Sequence, residues 1–134
     1  MVLKLSFDDG REDDIRLAEL IKEYNLQKYT TFYIPTNCEI DTDQIKQLDK
    51  EGFMIGGHTI NHPELTKIIL GGAEYEISQN KILLENLIGH KITSFCYPRG
   101  RYDNDIINLV QDAGYYDART SAMITGGCCP SLAL

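Results

Sequence analysis

Residues 1–10, MVLKLSFDDG, decide how this chain is read. The stretch from Val2 to Phe7 reads as a β-strand, and Gly10 breaks it. The strand ends in two adjacent carboxylates, Asp8 and Asp9. Acids placed side by side repel each other, so something of opposite charge has to sit against them.

Working outward, strand and helix signals alternate. A helix is predicted from Glu12 to Tyr24, with Leu17, Ala18, Ile21 and Tyr24 on one face. YTTFYIP (29–35) is rich in β-branched and aromatic residues and reads as the second strand, closed by Pro35. Asp41 and Thr42 can cap a short helix over 43–51, ended by Gly52. FMIGG (53–57) is the third strand and leads into HTINHP (58–63). A long helix is predicted over 73–88, with Ile77, Leu84 and Ile88 as its apolar stripe and Gly89 as its stop. ITSFCYP (92–98) is the fourth strand. Asp103 or Asn104 caps a helix through Ala113, Gly114 closes it, and YYDART (115–120) is the fifth strand. Strict alternation implies right-handed crossovers and a mainly parallel sheet.

Composition narrows the function classes. At 134 residues the chain is one domain by length, with 43% apolar and 25% charged residues. Its net charge of -7 argues against nucleic acid and anionic membranes as partners, because both are held by surplus Lys and Arg. No segment approaches the roughly 20 apolar residues that a membrane span needs. No basic-then-apolar leader precedes the first strand, which points to the cytoplasm; a removed leader would point to the cell envelope or outside. Cys38, Cys96, Cys128 and Cys129 show no C-x-x-C spacing and read as free thiols.

In parallel α/β folds the chemistry sits on loops at the carboxyl ends of the strands. That rule gathers Asp8 and Asp9, His58 and His62, Tyr97 to Gly100, and Arg119 on one face. Two imidazoles and a carboxylate suit Zn2+ or a similar divalent ion such as Co2+, and leave a position open for water. A cation bound through one aspartate would relieve the repulsion and free the other to accept a proton. Phosphoacceptor receiver domains also pair aspartates after the first strand. They need an aspartate after the third strand and a lysine after the fifth, where this chain has Gly-Gly-His and Arg119. A D-x-D phosphatase nucleophile is not met by Asp8, Asp9 and Gly10 either.

SFDDG, HTINHP and FCYPRG, in this order and spacing, resemble the first three motifs of the polysaccharide deacetylases. That group is carbohydrate esterase family 4, the NodB-homology domain. The resemblance covers the chain to about Thr120. It implies a distorted (β/α) barrel of about five βα units, incomplete at the C-terminus, as a single domain over 1–134. It also implies a metal-dependent hydrolase that removes N-acetyl groups from amino-sugar polymers or oligomers by attack of metal-bound water. Carried over by position, Asp8 is the general base, Asp9, His58 and His62 hold the metal, and the backbone N–H of Arg99 binds the oxyanion. Tyr97, Pro98 and Gly100 stand as substrate contacts, with packing the alternative for Tyr97.

Two departures follow. Many members place an arginine where this chain has Cys96, and Arg119 could supply the missing guanidinium beside Asp8. The histidine of the family's last motif, which protonates the leaving amine, has no match after Thr120, and His90 lies at the opposite end of the barrel. The chain also stops before the final strands of a full barrel, which leaves an open edge; the alternatives are a longer chain, a second copy that covers the gap, or Asp8 serving both proton transfers. A metal- and glycan-binding pseudoenzyme is the alternative function.

Overall fold

The computed structural model describes residues 3–121 and the backbone of a short strand, Ser131–Ala133. Its strands are β1 (Leu5–Asp8), β2 (Thr30–Ile34), β3 (Met54–Gly57), β4 (Ser94–Tyr97), β5 (Asp117–Thr120) and β6 (Ser131–Ala133). Between them lie α1 (Glu12–Glu23), α2 (Thr42–Lys50), α3 (Leu70–Ile88) and α4 (Asn104–Asp112). The sheet runs in sequence order from β1 to β6, and its first five strands are parallel.

Local signals set the helix ends. Asp41 Oδ1 accepts from Gln44 N at 2.8 Å, and Gln44 Oε1 accepts from Asp41 N at 2.9 Å, a reciprocal cap on α2. Asp103 Oδ1 accepts from Ile106 N at 2.9 Å and starts α4. Gly89, at φ 82°, stops α3 in the left-handed conformation that glycine tolerates. The start of α3 differs from the sequence reading. It begins at Leu70 and takes in Gly71 and Gly72, because helical packing outweighs the low propensity of two glycines. Tyr24, placed on the buried face of α1, is exposed. It caps the helix, and Asp14 joins Ala18 and Ile21 as the buried set.

Each strand divides its side chains between two faces. Phe32, Ile34, Ile55, Phe95 and Ala118 join a core with Ile21, Leu48, Ile77 and Val110 of the helices. Full burial of one such side chain contributes about 1.5–3 kcal/mol. The other face is polar and curls into a half-barrel. In a flat sheet β5 would lie about 19 Å from β1, four spacings away. Arg119 on β5 nevertheless donates to Ser6 Oγ at 2.6 Å and to Asp8 Oδ1 at 3.0 Å, both on β1. Curling is the only way to bring those groups together. Tyr33 Oη and Ser94 Oγ, 2.6 Å apart, bridge β2 to β4 across the same concave side.

Beyond β5, β6 pairs in antiparallel register, Arg119 opposite Ser131 and Asp117 opposite Ala133, so the edge of the described sheet lies at β6 rather than at β5. Cys38 and Cys96 are free thiols, as expected, while Cys128 and Cys129 lie outside the described residues. Among the described residues no helix is long and apolar enough to cross a membrane.

Candidate metal centre

β1 ends by turning sharply. Asp9 has φ 82° and Gly10 φ 60°, so the chain reverses its side-chain alternation between the two aspartates. Gly10 is required twice over, because a Cβ there would also stand 2.9 Å from Cys38 Cβ. The turn sends the two carboxylates to different partners. Asp8 goes to Arg119 at 3.0 Å, and Asp9 faces the histidines.

His58 follows β3 directly and is buried. Gly57 before it has no room for a side chain, since a Cβ would lie 2.0 Å from Tyr115 Oη. The His58 backbone N–H donates to Asn80 Oδ1 at 3.0 Å. Asn80, itself fully buried, donates from Nδ2 to Ile34 O at 3.1 Å and to Thr36 Oγ1 at 3.0 Å. One amide on α3 therefore ties the ends of β2 and β3 together under the site. The loop to His62 is held by Glu76, whose Oε2 accepts from Ile60 N at 2.8 Å and Asn61 N at 2.9 Å. His62 N donates to Thr59 Oγ1 at 3.1 Å. His62 adopts φ 57°, a left-handed turn outside right-handed helical geometry.

These supports bring three ligand atoms together. Asp9 Oδ1 lies 3.3 Å from His58 Nε2 and 3.2 Å from His62 Nε2, and the two rings meet edge to face at 4.7 Å. His58 Nδ1 is 2.8 Å from the Cys96 carbonyl, which can only accept, so Nδ1 carries the hydrogen and Nε2 presents a lone pair. A lone pair facing a carboxylate oxygen is unfavourable unless positive charge is shared between them. Burial pushes the His58 imidazole below its usual range, which disfavours a proton there, despite help from the Cys96 carbonyl and nearby carboxylates. A divalent cation fits. Two nitrogens and one oxygen form an open-sided zinc-type set, and the Nδ1–H···O=C bond is the usual orienting partner of a ligating histidine.

In the loop after β4, burial favours packing, the alternative reading for Tyr97. β4 alternates, so Ser94 and Cys96 face the concave side while Phe95 and Tyr97 face the helices. Tyr97 is fully buried, stacked on Tyr102 at 5.0 Å and edge-on to Phe95 at 5.5 Å. Its side chain packs in the core. Pro98 and Gly100 are buried in the turn, and Arg99 is exposed at φ 57°. Thr120 Oγ1 donates to Gly100 O at 2.8 Å and anchors this turn to β5. Burial, then the adjacent Asp8, pushes the Cys96 thiol far up. His90 sits away from the cluster, with Nε2 2.7 Å from Asp49 Oδ1. Sequence reasoning missed Asn80, Glu76 and Ser6. A polar residue on an otherwise buried helix stripe is the one trace Asn80 leaves, and Glu76 and Ser6 leave none.

The structure thus defines a half-barrel α/β domain with a carboxylate–imidazole cluster at the carboxyl ends of its strands that could hold a metal ion. Comparison with known proteins makes the class specific: the polysaccharide deacetylase family model matches residues 1–118, and the chain belongs to that family. It is 31% identical over 88 residues to a peptidoglycan-N-acetylglucosamine deacetylase of Bacillus cereus, covering 64% of this chain and 32% of that protein. It is 29% identical over 113 residues to a chitooligosaccharide deacetylase of Azorhizobium caulinodans, covering 82% and 53% respectively. Among solved structures, the polysaccharide deacetylase BC0361 of Bacillus cereus superposes with a TM-score of 0.80 at 22% identity, over 97% of this chain and 42% of that one. The chain spans about half or less of the length of these relatives.

Proposed function

We propose that this chain, as a single deacetylase-type domain over 1–134, hydrolyses the N-acetyl amide of an acetylated amino-sugar glycan, using a divalent cation held by Asp9, His58 and His62. Zinc suits the donor set best, with cobalt next. The substrate class is supported by relatives that act on peptidoglycan and chitooligosaccharide. The observation that carries the reading is the division of labour between neighbouring aspartates. Asp9 faces two imidazoles while Asp8, one residue away, faces a guanidinium.

Bound at that cluster, a cation supplies Lewis acidity toward the attacking water and the acetyl carbonyl. The residues supply the rest. Asp8, oriented by Arg119, accepts the water's proton as the new C–O bond forms. The backbone N–H of Arg99, in its left-handed turn, donates to the carbonyl oxygen as it becomes an oxyanion, a contact worth about 10²- to 10³-fold in rate. The C–N bond then breaks, and Asp8 passes its proton to the departing nitrogen, giving acetate and a free amine. Asp8 serves both transfers because, among the described residues, no third imidazole joins the cluster: His90 is engaged with Asp49 away from it.

The position of His90, away from the described cluster, favours a second reading, a domain that binds metal and glycan without turnover. Acetate release from N-acetylated oligosaccharides, measured with and without chelator, separates the two. Chelator-sensitive acetate supports hydrolysis. A metal-loaded protein that releases none supports binding alone.

A further inference from the structure

The concave face holds a second group of ligand atoms directly beside the first. The Asp8 carboxylate, a His58 ring nitrogen and Cys96 Sγ lie within 4.8 Å of one another. Both His58 and Cys96 are buried, so this group lies deeper than the one that includes the half-exposed His62. We infer that Asp8, His58 and Cys96 form an inner coordination position for a thiophilic divalent cation of the cadmium class, mutually exclusive with the Asp9–His58–His62 position.

Exclusivity follows from His58. Its Nδ1 is committed to the Cys96 carbonyl, leaving Nε2 as the nitrogen for an ion, and Nε2 is the atom the outer position also uses. Selectivity follows from charge and softness. Arg119, 3.0 Å from Asp8, opposes any cation held there by oxygen alone. A thiolate adds a second negative charge and a soft donor, which favours ions that bond strongly to sulfur over hard ions such as Mg2+ or Ca2+. On binding, the Cys96 S–H bond breaks, an S–metal bond forms, and the proton leaves to buffer. An ion in this position removes the proton acceptor Asp8 and the ligand His58 together. The inference rests on this geometry alone and stands whether or not the chain turns over.

The test uses Cd2+ and the ultraviolet thiolate-to-cadmium charge-transfer band, read in the full chain with Cys38, Cys128 and Cys129 replaced by Ser, so that Cys96 is the sole thiol. The band is expected to saturate at about one Cd2+ per chain, to vanish in C96A and in C96S, to vanish or weaken at least tenfold in D8N and H58A, and to survive H62A. C96S retains the side-chain volume and serves if C96A does not fold. Far-ultraviolet circular dichroism confirms folding in each case. A folded sole-Cys96 protein that shows no band at saturating Cd2+ overturns the inference. So does a band that is lost in H62A but unchanged in D8N, because the thiol would then belong to the outer position.

Discussion

Asn80→Ala puts the support beneath the site to its strictest test. The amide is fully buried and satisfies three groups: the His58 N–H, the Ile34 carbonyl and the Thr36 hydroxyl. Thr36 is half-buried and its hydroxyl can rotate toward water, whereas the other two are backbone groups of buried residues. Each buried group left without a partner costs about 1–3 kcal/mol, so the loss of two should cost about 2–6 kcal/mol. That is a large fraction of the roughly 5–15 kcal/mol by which a domain is stable. Because the His58 N–H is one of the three, the ligand also loses an anchor, and zinc affinity should fall about 10- to 100-fold, as for other supports of metal ligands. Asn80→Asp should not rescue it, since the carboxylate keeps an acceptor for His58 but turns a second acceptor toward Ile34 O. Urea unfolding and zinc titration of the two variants provide the assay. If Asn80→Ala unfolds within about 0.5 kcal/mol of the parent and binds zinc equally well, the support assigned to Asn80 is wrong.

Two further outcomes are expected. Arg119→Met should lower kcat about 100-fold with little change in KM, because the guanidinium touches Asp8 and Ser6 and acts on substrate only through the base; an equal loss in zinc binding would instead make it a support of the metal. For His90, the hydrogen bond to Asp49 and then the Lys91 carbonyl raise the imidazole above its usual range. A raised folded value stabilises below the unfolded value of about 6.5 and fades as pH climbs through the folded one. His90→Gln should therefore be less stable than the parent at about pH 5.5, by no more than ~1 kcal/mol for so exposed a pair, and should match it at about pH 9. Equal midpoints at both pH values would show that the pair contributes nothing.

The sequence disclosed the site where local pattern and topology coincide. Asp8 ends β1, Asp9 and His58 directly follow strands, and His62 sits in the loop that His58 opens, so the strand-end rule places all four at one end of the sheet. Arg119 was placed by the same rule, and the structure joins it to Asp8. At Tyr97 the rule left contact and packing both open, and strand alternation, already written in SFCY, turns that ring toward the helices. The start of α3 was missed because Gly71 and Gly72 mimic a loop. The β6 pairing was missed because a three-residue strand carries too little periodicity to register. Asn80 and Glu76 escaped for a different reason: their partners are backbone groups from distant segments, which no spacing within α3 reveals.

One comparison bears most directly on the whole account: zinc retained per chain after dialysis, in Asp8→Asn beside Asp9→Asn, together with acetate release. The structure predicts that Asp8→Asn keeps about one zinc and loses turnover, while Asp9→Asn loses both. Zinc lost from Asp8→Asn as completely as from Asp9→Asn, or kept in both, would contradict the division between the two carboxylates.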